Sequence, residues 1–530
     1  MIRLLGLAIL VCAAANALAA DPLVHVRIDS PLGAELAAGL LDEGFDVLEP
    51  TIRPTSFEAI VNSYELAVLE ERGYAIAILA VGRPFRDIQA EDAIPPGYPE
   101  LAEIIQQMQT AAAAYPSICR FVDLTATYGV APTVEGRHVY AVKVSDNVAE
   151  DENEPAFLLV SDHHAREIVT PVIALYALDR FTTQYGVDPR ITALVDEYEL
   201  WIAPVWNPDG YNWVFVGDNL WRKNRRVFTG GIGVDLNRNY PFGWNSSCAG
   251  STLVTSETYR GPEPASEAET LTMIALGLDR RFAKVADLHS YAMEVRYGYG
   301  CWNHPFMTFL RNEASALAGT MSGYTAALSC CTAGNIHWHM GHTGTHAFLW
   351  ETHTSFQPTY ANAQAEAVRV FPSLLALLER PISVSGRVTD AVTGQPVAAT
   401  LRLVGVTFPN GEVNASGARL GRYHAILPAG NYTLEFSAPG YVTQTHPVTV
   451  TLTSATVLNV TLSRPFLVGD LNCDGNVDFG DINPFVLALT NPAGYAVQFP
   501  NCDIRLGDMN GDGICDFGDI NPFVRLLTGP

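Results

Sequence analysis

The chain has 530 residues, 48% of them apolar and 17% charged, with a formal net charge of −24. That length exceeds one core, and the composition is that of a globular rather than a disordered chain. The acidic balance excludes a basic nucleic-acid footprint, so no nucleic-acid partner is expected.

Residues 1–20 read as a signal peptide. Arg3 is the only early charge, Leu4 to Val11 is nearly all apolar, and Ala17-Leu18-Ala19 offers a small-residue cleavage site. The apolar run is short for a membrane span. No later stretch is long enough to cross a bilayer, so the expectation is a secreted, extracellular chain without a transmembrane segment. Of nine cysteines, Cys12 leaves with the leader. An even number then remains, which permits disulfides without fixing their pairing. Five fall before residue 381 and three after 465, so each region is left with an odd thiol.

Residues 21–98 read as a small α/β subdomain. Leu23 to Ile28 has a strand pattern, Ser56 to Glu71 a helical period, and Tyr74 to Val81 a second strand pattern. The stretch Ala93-Ile94-Pro95-Pro96-Gly97 reads as a linker. A prosegment and an ordinary N-terminal subdomain both stay open.

From 99 to 380, apolar strand-like runs alternate with helical patterns, which predicts an α/β fold on a parallel or mixed sheet. Four runs matter most: Ala156–Ser161, Leu200–Val205, Lys284–Leu288 and His346–Trp350. The first leads into His164-Ala165-Arg166-Glu167, the third into His289, the fourth into Glu351. Ligands in open α/β sheets bind beyond the carboxyl ends of the strands, so these side chains can converge. Two imidazoles and a carboxylate suit one catalytic zinc, which lowers the pKa of a water to about 7. His164, Glu167 and His289 are the expected ligands. Glu351 is expected to be the general base, and Arg222 to stabilise the developing oxyanion. Arg238 offers a forked guanidinium suited to a carboxylate. His337, His339, His342 and His346 fit no compact ligand set and read as loop histidines.

Residues 381–464 change character, with short strands between Gly/Pro turns, as in a small all-β sandwich. Residues 465–530 contain a repeat: Asp478 to Val486 recurs as Asp516 to Val524. Asp470, Asn472, Asp474, Asp478 and Asp481 stand at alternate ligand positions around Gly475. Asp508, Asn510, Asp512, Asp516 and Asp519 do so around Gly513. Hard oxygens spaced this way suit calcium, two ions in all, in a small helical module.

The motifs His-Ala-Arg-Glu, Asn-Pro-Asp-Gly-Tyr, Trp-Arg-Lys, Asp-Leu-Asn-Arg-Asn, Leu-His-Ser-Tyr and the late Glu351 occur in the order of a known family. Residues 99–380 resemble the zinc metallocarboxypeptidases of the pancreatic A/B type. The resemblance implies a hydrolase that removes C-terminal residues from peptides or proteins. Asn237 and Arg238 would bind the terminal carboxylate, with Arg166 assisting. The family's mobile tyrosine has no clear counterpart: ungapped counting gives Ser329, and Tyr324 and Tyr291 stay open. The specificity position falls on Ile336, which implies an apolar or aromatic terminal residue. Residues 381–464 resemble a transthyretin-like, carboxypeptidase-regulatory domain. Residues 465–530 resemble a type I dockerin, with Phe479-Gly480 and Phe517-Gly518 where the polar recognition pair usually stands. That resemblance implies a cohesin-like or cell-surface partner and possible surface attachment. A peptidoglycan-peptide hydrolase on the same fold, and a catalytically silent scaffold or adhesion protein, are the alternatives.

Overall fold

The computed structural model describes residues 21–91, 97–391, 393–465 and 467–529. The expected signal peptide at 1–20 and the expected linker residues Ala93 to Pro96 lie outside them. No helix among the described residues is long and apolar enough to cross a membrane.

Residues 21–91 form a four-stranded antiparallel sheet, order β2-β3-β1-β4, from β1 (Val24–Asp29), β2 (Asp46–Val47), β3 (Ser56–Val61) and β4 (Ala75–Val81). Helices Gly33–Asp42 and Ser63–Glu71 accompany the sheet. The helix expected over Ser56–Glu71 therefore begins only at Ser63. Phe57, Ala59 and Val61 alternate into the core in β3, a period of two. Asn62 then stops the strand and caps the helix in a reciprocal box with Glu65.

The central unit is an eight-stranded mixed sheet. Its strands are β5 (Cys119–Asp123), β6 (Tyr140–Val144), β7 (Ala156–Ser161), β8 (Glu199–Ala203), β11 (Lys284–His289), β12 (Glu294–Tyr297), β13 (Thr325–Leu328) and β14 (His346–Glu351). A two-stranded ribbon, β9 (Val227–Phe228) with β10 (Gly231–Ile232), stands apart from it. The order is β13-β12-β14-β11-β7-β8-β6-β5, and β14, β11, β7 and β8 run parallel. Every residue of β7, β8 and β11 is buried, as strands covered on both faces require. Register sets His289 beside Glu351 and Leu288 beside Ser161, so three strand ends deliver their side chains to one rim.

A β-rich unit follows, with strands from Val384 to Leu462 in two sheets around its own apolar core. In the tail, two short helices, Ile482–Thr490 and Ile520–Thr528, each follow one of the two repeated loops. Gly475 and Gly513, sixth in each loop, hold φ near +88° and +95°, a turn that side chains resist. Disulfides join Cys248 to Cys301, Cys330 to Cys331 and Cys473 to Cys502, while Cys119 and Cys515 stay free thiols.

Candidate metal centre and substrate cavity

The chain leaves β7 through Asp162 and His163, and a tight turn then presents His164 and Glu167. His164 Nδ1 stands 2.8 Å from Glu167 Oε1, and His289 Nδ1 stands 3.1 Å from both Glu167 Oε2 and His164 Nδ1. Two imidazole nitrogens and both carboxylate oxygens thus converge, all buried. Burial pushes the Glu167 carboxyl up, but His164 and His289 outweigh it and hold it well below the usual range. Burial pushes His289 down, and Asp287 with Glu167 overcome this and raise it to about 10. Such a donor set fits a divalent cation, whose binding displaces that proton.

The outer nitrogens are held as a metal site requires. His164 Nε2 lies 3.1 Å from Asp235 Oδ1, and His289 Nε2 lies 3.3 Å from Asp287 Oδ1. His163, Asp287 and His289 form a second ligand-like group. It is the poorer candidate: His163 and Asp287 do not line the cavity, whereas His164, Glu167 and His289 all do. A third group, Asp146, Glu152 and Glu154, lies on the surface away from this cavity.

That cavity has a volume of about 1350 Å³. Arg222 lines it and pairs with Asp235 Oδ2 through Nε at 3.1 Å and Nη2 at 2.8 Å. Asp235 therefore ties Arg222 to His164. Arg238 lines the cavity with Nη1 on its own neighbour's carbonyl, at Asn237, and Nη2 near Cys330 Sγ. Asn237 Nδ2 lies 3.3 Å from His289 Nε2. Glu351 ends β14 on the same wall, and its carboxyl is pushed up by burial, only partly offset by Arg296. Arg166 also lines the cavity, stacked 4.4 Å over Phe356.

Two expectations are corrected here, and one left open is narrowed. Ile336 is 1% exposed in the core and does not line the cavity. It sits on helix Asn335–Thr343, where a one-residue step rotates the facing side chain, and His337 takes the wall instead. His337, His339 and His342 are on that helix and His346 opens β14, so none is a loop histidine. Ser329 bonds to His337 and Tyr324 to Glu366, leaving Tyr291 as the cavity-lining tyrosine.

The subdomain of residues 21–91 closes one side of the cavity. Its Asp46 Oδ2 lies 2.6 Å from Arg166, and its Glu49 Oε2 2.9 Å from Arg296. Burial pushes the Asp46 carboxyl up, but Arg166 and Arg222 outweigh it and lower it. Asn62 Nδ2 reaches the Thr255 carbonyl, and Leu23 N–H donates to Asp218. Asp46, Glu49, Arg296, Asp235 and Asp287 escaped sequence reasoning. Only Asp235, which opens the Asp-Leu-Asn-Arg motif, and Asp287, two residues before His289, carried a signal.

This interface should be pH-dependent. Burial and Glu257 push the Glu65 carboxyl up to about 8, and burial pushes Asp218 up to about 6. Such raised groups favour the docked state while protonated, a contribution full below their ordinary carboxylate values and lost as pH climbs to about 6 for Asp218 and about 8 for Glu65. Asp46, being lowered, loses its contribution only on acidification below the ordinary aspartate range. Proteolytic protection of residues 21–91 is therefore expected to be greater near pH 5 than near pH 9. Equal protection at both would count against these carboxyls.

In the tail, the expected calcium residues turn into their own loops. Asp470 accepts from the amides of Asp474 and Gly475, and Asp508 from Gly511, Asp512 and Gly513. Asp481 and Asp519 are fully buried and accept from Asn472 and Asn510 amides, respectively. Asn472 and Asn510 accept from the amides of Asp474 and Asp512, and those aspartates from Asn476 and Ile514. Asp478 and Asp516 cap the following turns.

Comparison with known proteins bears on these features. Residues 104–369 match the family model described as zinc carboxypeptidase, and residues 383–463 the carboxypeptidase regulatory-like domain. A carboxypeptidase A1 of Bos taurus is 29% identical over 269 residues, covering 48% of this chain and 62% of that protein. An inactive metallocarboxypeptidase of Ajellomyces capsulatus is 27% identical over 300 residues, covering 54% of this chain and 48% of its own. The chain thus spans about half to three-fifths of the length of the curated relatives it matches. The crystal structure of the carboxypeptidase A from Helicoverpa armigera shares the fold at 20% identity and a TM-score of 0.56. It covers 67% of this chain and 96% of its own.

Proposed function

We propose, from the premise that this chain belongs to the zinc carboxypeptidase family, that it hydrolyses the C-terminal peptide bond of peptides or proteins. The observation that carries this reading is the convergence of His164, Glu167 and His289 at a cavity that Arg222, Arg238 and Glu351 also line. Zinc, when held by those three residues, activates a water and polarises the scissile carbonyl. Arg222, fixed by Asp235, stabilises the oxygen on which charge develops. Glu351 takes the water's proton and passes it to the leaving amine, a role its raised pKa suits. Asn237 and Arg238 hold the terminal carboxylate, while Arg166 assists once freed from Asp46.

Residues 21–98 act in this reading as a prosegment, because Asp46 and Glu49 place carboxylates on cavity arginines. The leader at 1–20 directs secretion. The apolar preference inferred from Ile336 loses its residue, since His337 holds that wall. The test is release of amino acids from acylated dipeptides by the zinc-loaded chain, with and without a chelator. Chelator-sensitive release is expected, and restored by zinc. Zinc-loaded protein that releases nothing, even with Asp46 replaced, would overturn the reading in favour of a silent scaffold like the inactive relative.

The tail fits a type I dockerin that binds two calcium ions and attaches the enzyme to a cohesin-like or cell-surface partner. Support comes from the doubled ligand pattern and the two positive-φ glycines. Calcium titration is expected to reach two ions per chain. At a hundred times the Kd, each site should add about 2.7 kcal/mol to the module's stability. No calcium uptake would remove the module from this account.

A further inference from the structure

Arg296 is a buried arginine whose place in the fold puts it beside the general base. It lies on β12 directly opposite Leu349 of β14, and Leu349 is two residues before Glu351 on the same strand face. All three line the cavity. Since β14 runs parallel to β11 with Glu351 level with His289, Leu349 and Arg296 stand one same-face position back from the strand ends that carry Glu351 and His289. The wall continues from there toward Arg238. Ser329 N–H donates to the Tyr297 carbonyl, Ser329 Oγ meets His337, and Cys330 lies against Arg238. Arg296 thus stands on the side of the scissile bond where Arg238 would hold the terminal carboxylate. In the carboxypeptidase reading the side chain that meets Arg296 is therefore that of the departing residue.

The structure already sets a carboxylate there. Glu49 of the subdomain bonds Arg296 Nη2 at 2.9 Å, while Arg296 Nε stands 3.1 Å from Glu294 and 3.7 Å from Glu351. More broadly, the subdomain offers Asp42, Glu43, Asp46 and Glu49 to a cavity whose other walls carry Arg166, Arg222, Arg238, Arg260 and Arg296. When Glu49 withdraws, Arg296 keeps Glu294 and Glu351 beside its Nε but its Nη2 loses the shortest of the three carboxylate contacts, a position a substrate carboxylate can take.

We infer that Arg296 is the specificity residue and that the preferred substrates end in glutamate or aspartate, whose side chain takes the place of Glu49. This inference rests on the carboxypeptidase reading above. It is tested on the zinc-loaded full chain carrying Asp46→Ala and Glu49→Ala, with acylated dipeptides ending in Glu, Gln, Phe or Lys. The Glu substrate is expected to exceed Gln and Phe by at least about tenfold in kcat/KM, because the site rejects a residue lacking the charge. Arg296→Gln should bring the Glu-to-Gln and Glu-to-Phe ratios of kcat/KM to near one, whatever it does to the absolute rates through Glu351, and Arg296→Lys should restore part of the preference. A Glu-to-Gln ratio near one, a preference for Phe or Lys, or an equal loss on every substrate would overturn the inference. Equal loss would make Arg296 only a holder of Glu351.

Calorimetric binding of the same dipeptides to the Glu351→Gln version separates this inference from the hydrolase reading. Tighter binding of Glu than Gln that vanishes in Arg296→Gln supports the specificity assignment, even if nothing is hydrolysed. Equal affinities overturn it, even if turnover is rapid.

Discussion

Glu351→Gln is expected to lower kcat of the zinc-loaded chain by about 10²–10⁴-fold, the usual worth of a positioned general base. The amide keeps the shape of the carboxylate at the end of β14 but accepts no proton. Of its neighbours, Arg296 at 3.7 Å is a cation, and Glu167 is held among the converging histidines. Metal content should be unchanged, since Glu351 is not one of the three converging ligands. KM should move little, because the proton transfer is made only in the transition state. Steady-state kinetics beside zinc analysis check both halves. A variant within about tenfold of the parent would mean that another group takes the water's proton.

The second large effect concerns latency. Asp46→Ala removes one partner of a buried ion pair, with Arg166 only 1% exposed and Asp46 8%. Breaking such a pair leaves a buried charge uncompensated and costs about 3–5 kcal/mol. Here the cost falls on the docked state alone, because Arg166 regains water once the subdomain leaves. The docking constant should therefore drop by about a hundredfold or more. Hydrolysis of a small dipeptide by the full chain should rise correspondingly, up to the rate of the undocked enzyme. The rise is read as the ratio of initial rates between Asp46→Ala and the parent chain. An unchanged rate would reduce the subdomain to an ordinary folding unit.

Much of the peptidase fold was legible because its central strands are buried on both faces. Ala156–Ser161 appears in the sequence as an unbroken apolar run, and the structure gives that strand the same bounds. The converging His164, Glu167 and His289 were legible for a related reason, since each lies at or just past the carboxyl end of such a strand. Ser56–Val61 was misjudged because Phe57 and Val61 satisfy a helical spacing as well as an alternating one. Ile336 was misplaced by a single step, which on a helix turns a side chain by about 100° and exchanges wall for core. Asp46, Glu49 and Arg296 carried no sequence signal at all. Their partners lie 120 to 247 residues away, and only docking of one unit on another brings the charges together.

The most direct test of the central claim is anomalous diffraction at the zinc edge from crystals of the zinc-loaded chain. One strong peak within coordination distance of His164 Nδ1, Glu167 and His289 Nδ1, with Asp235 behind His164, is the expected result. A peak among His163, Asp287 and the other nitrogen of His289, or no peak at this cavity, would contradict it.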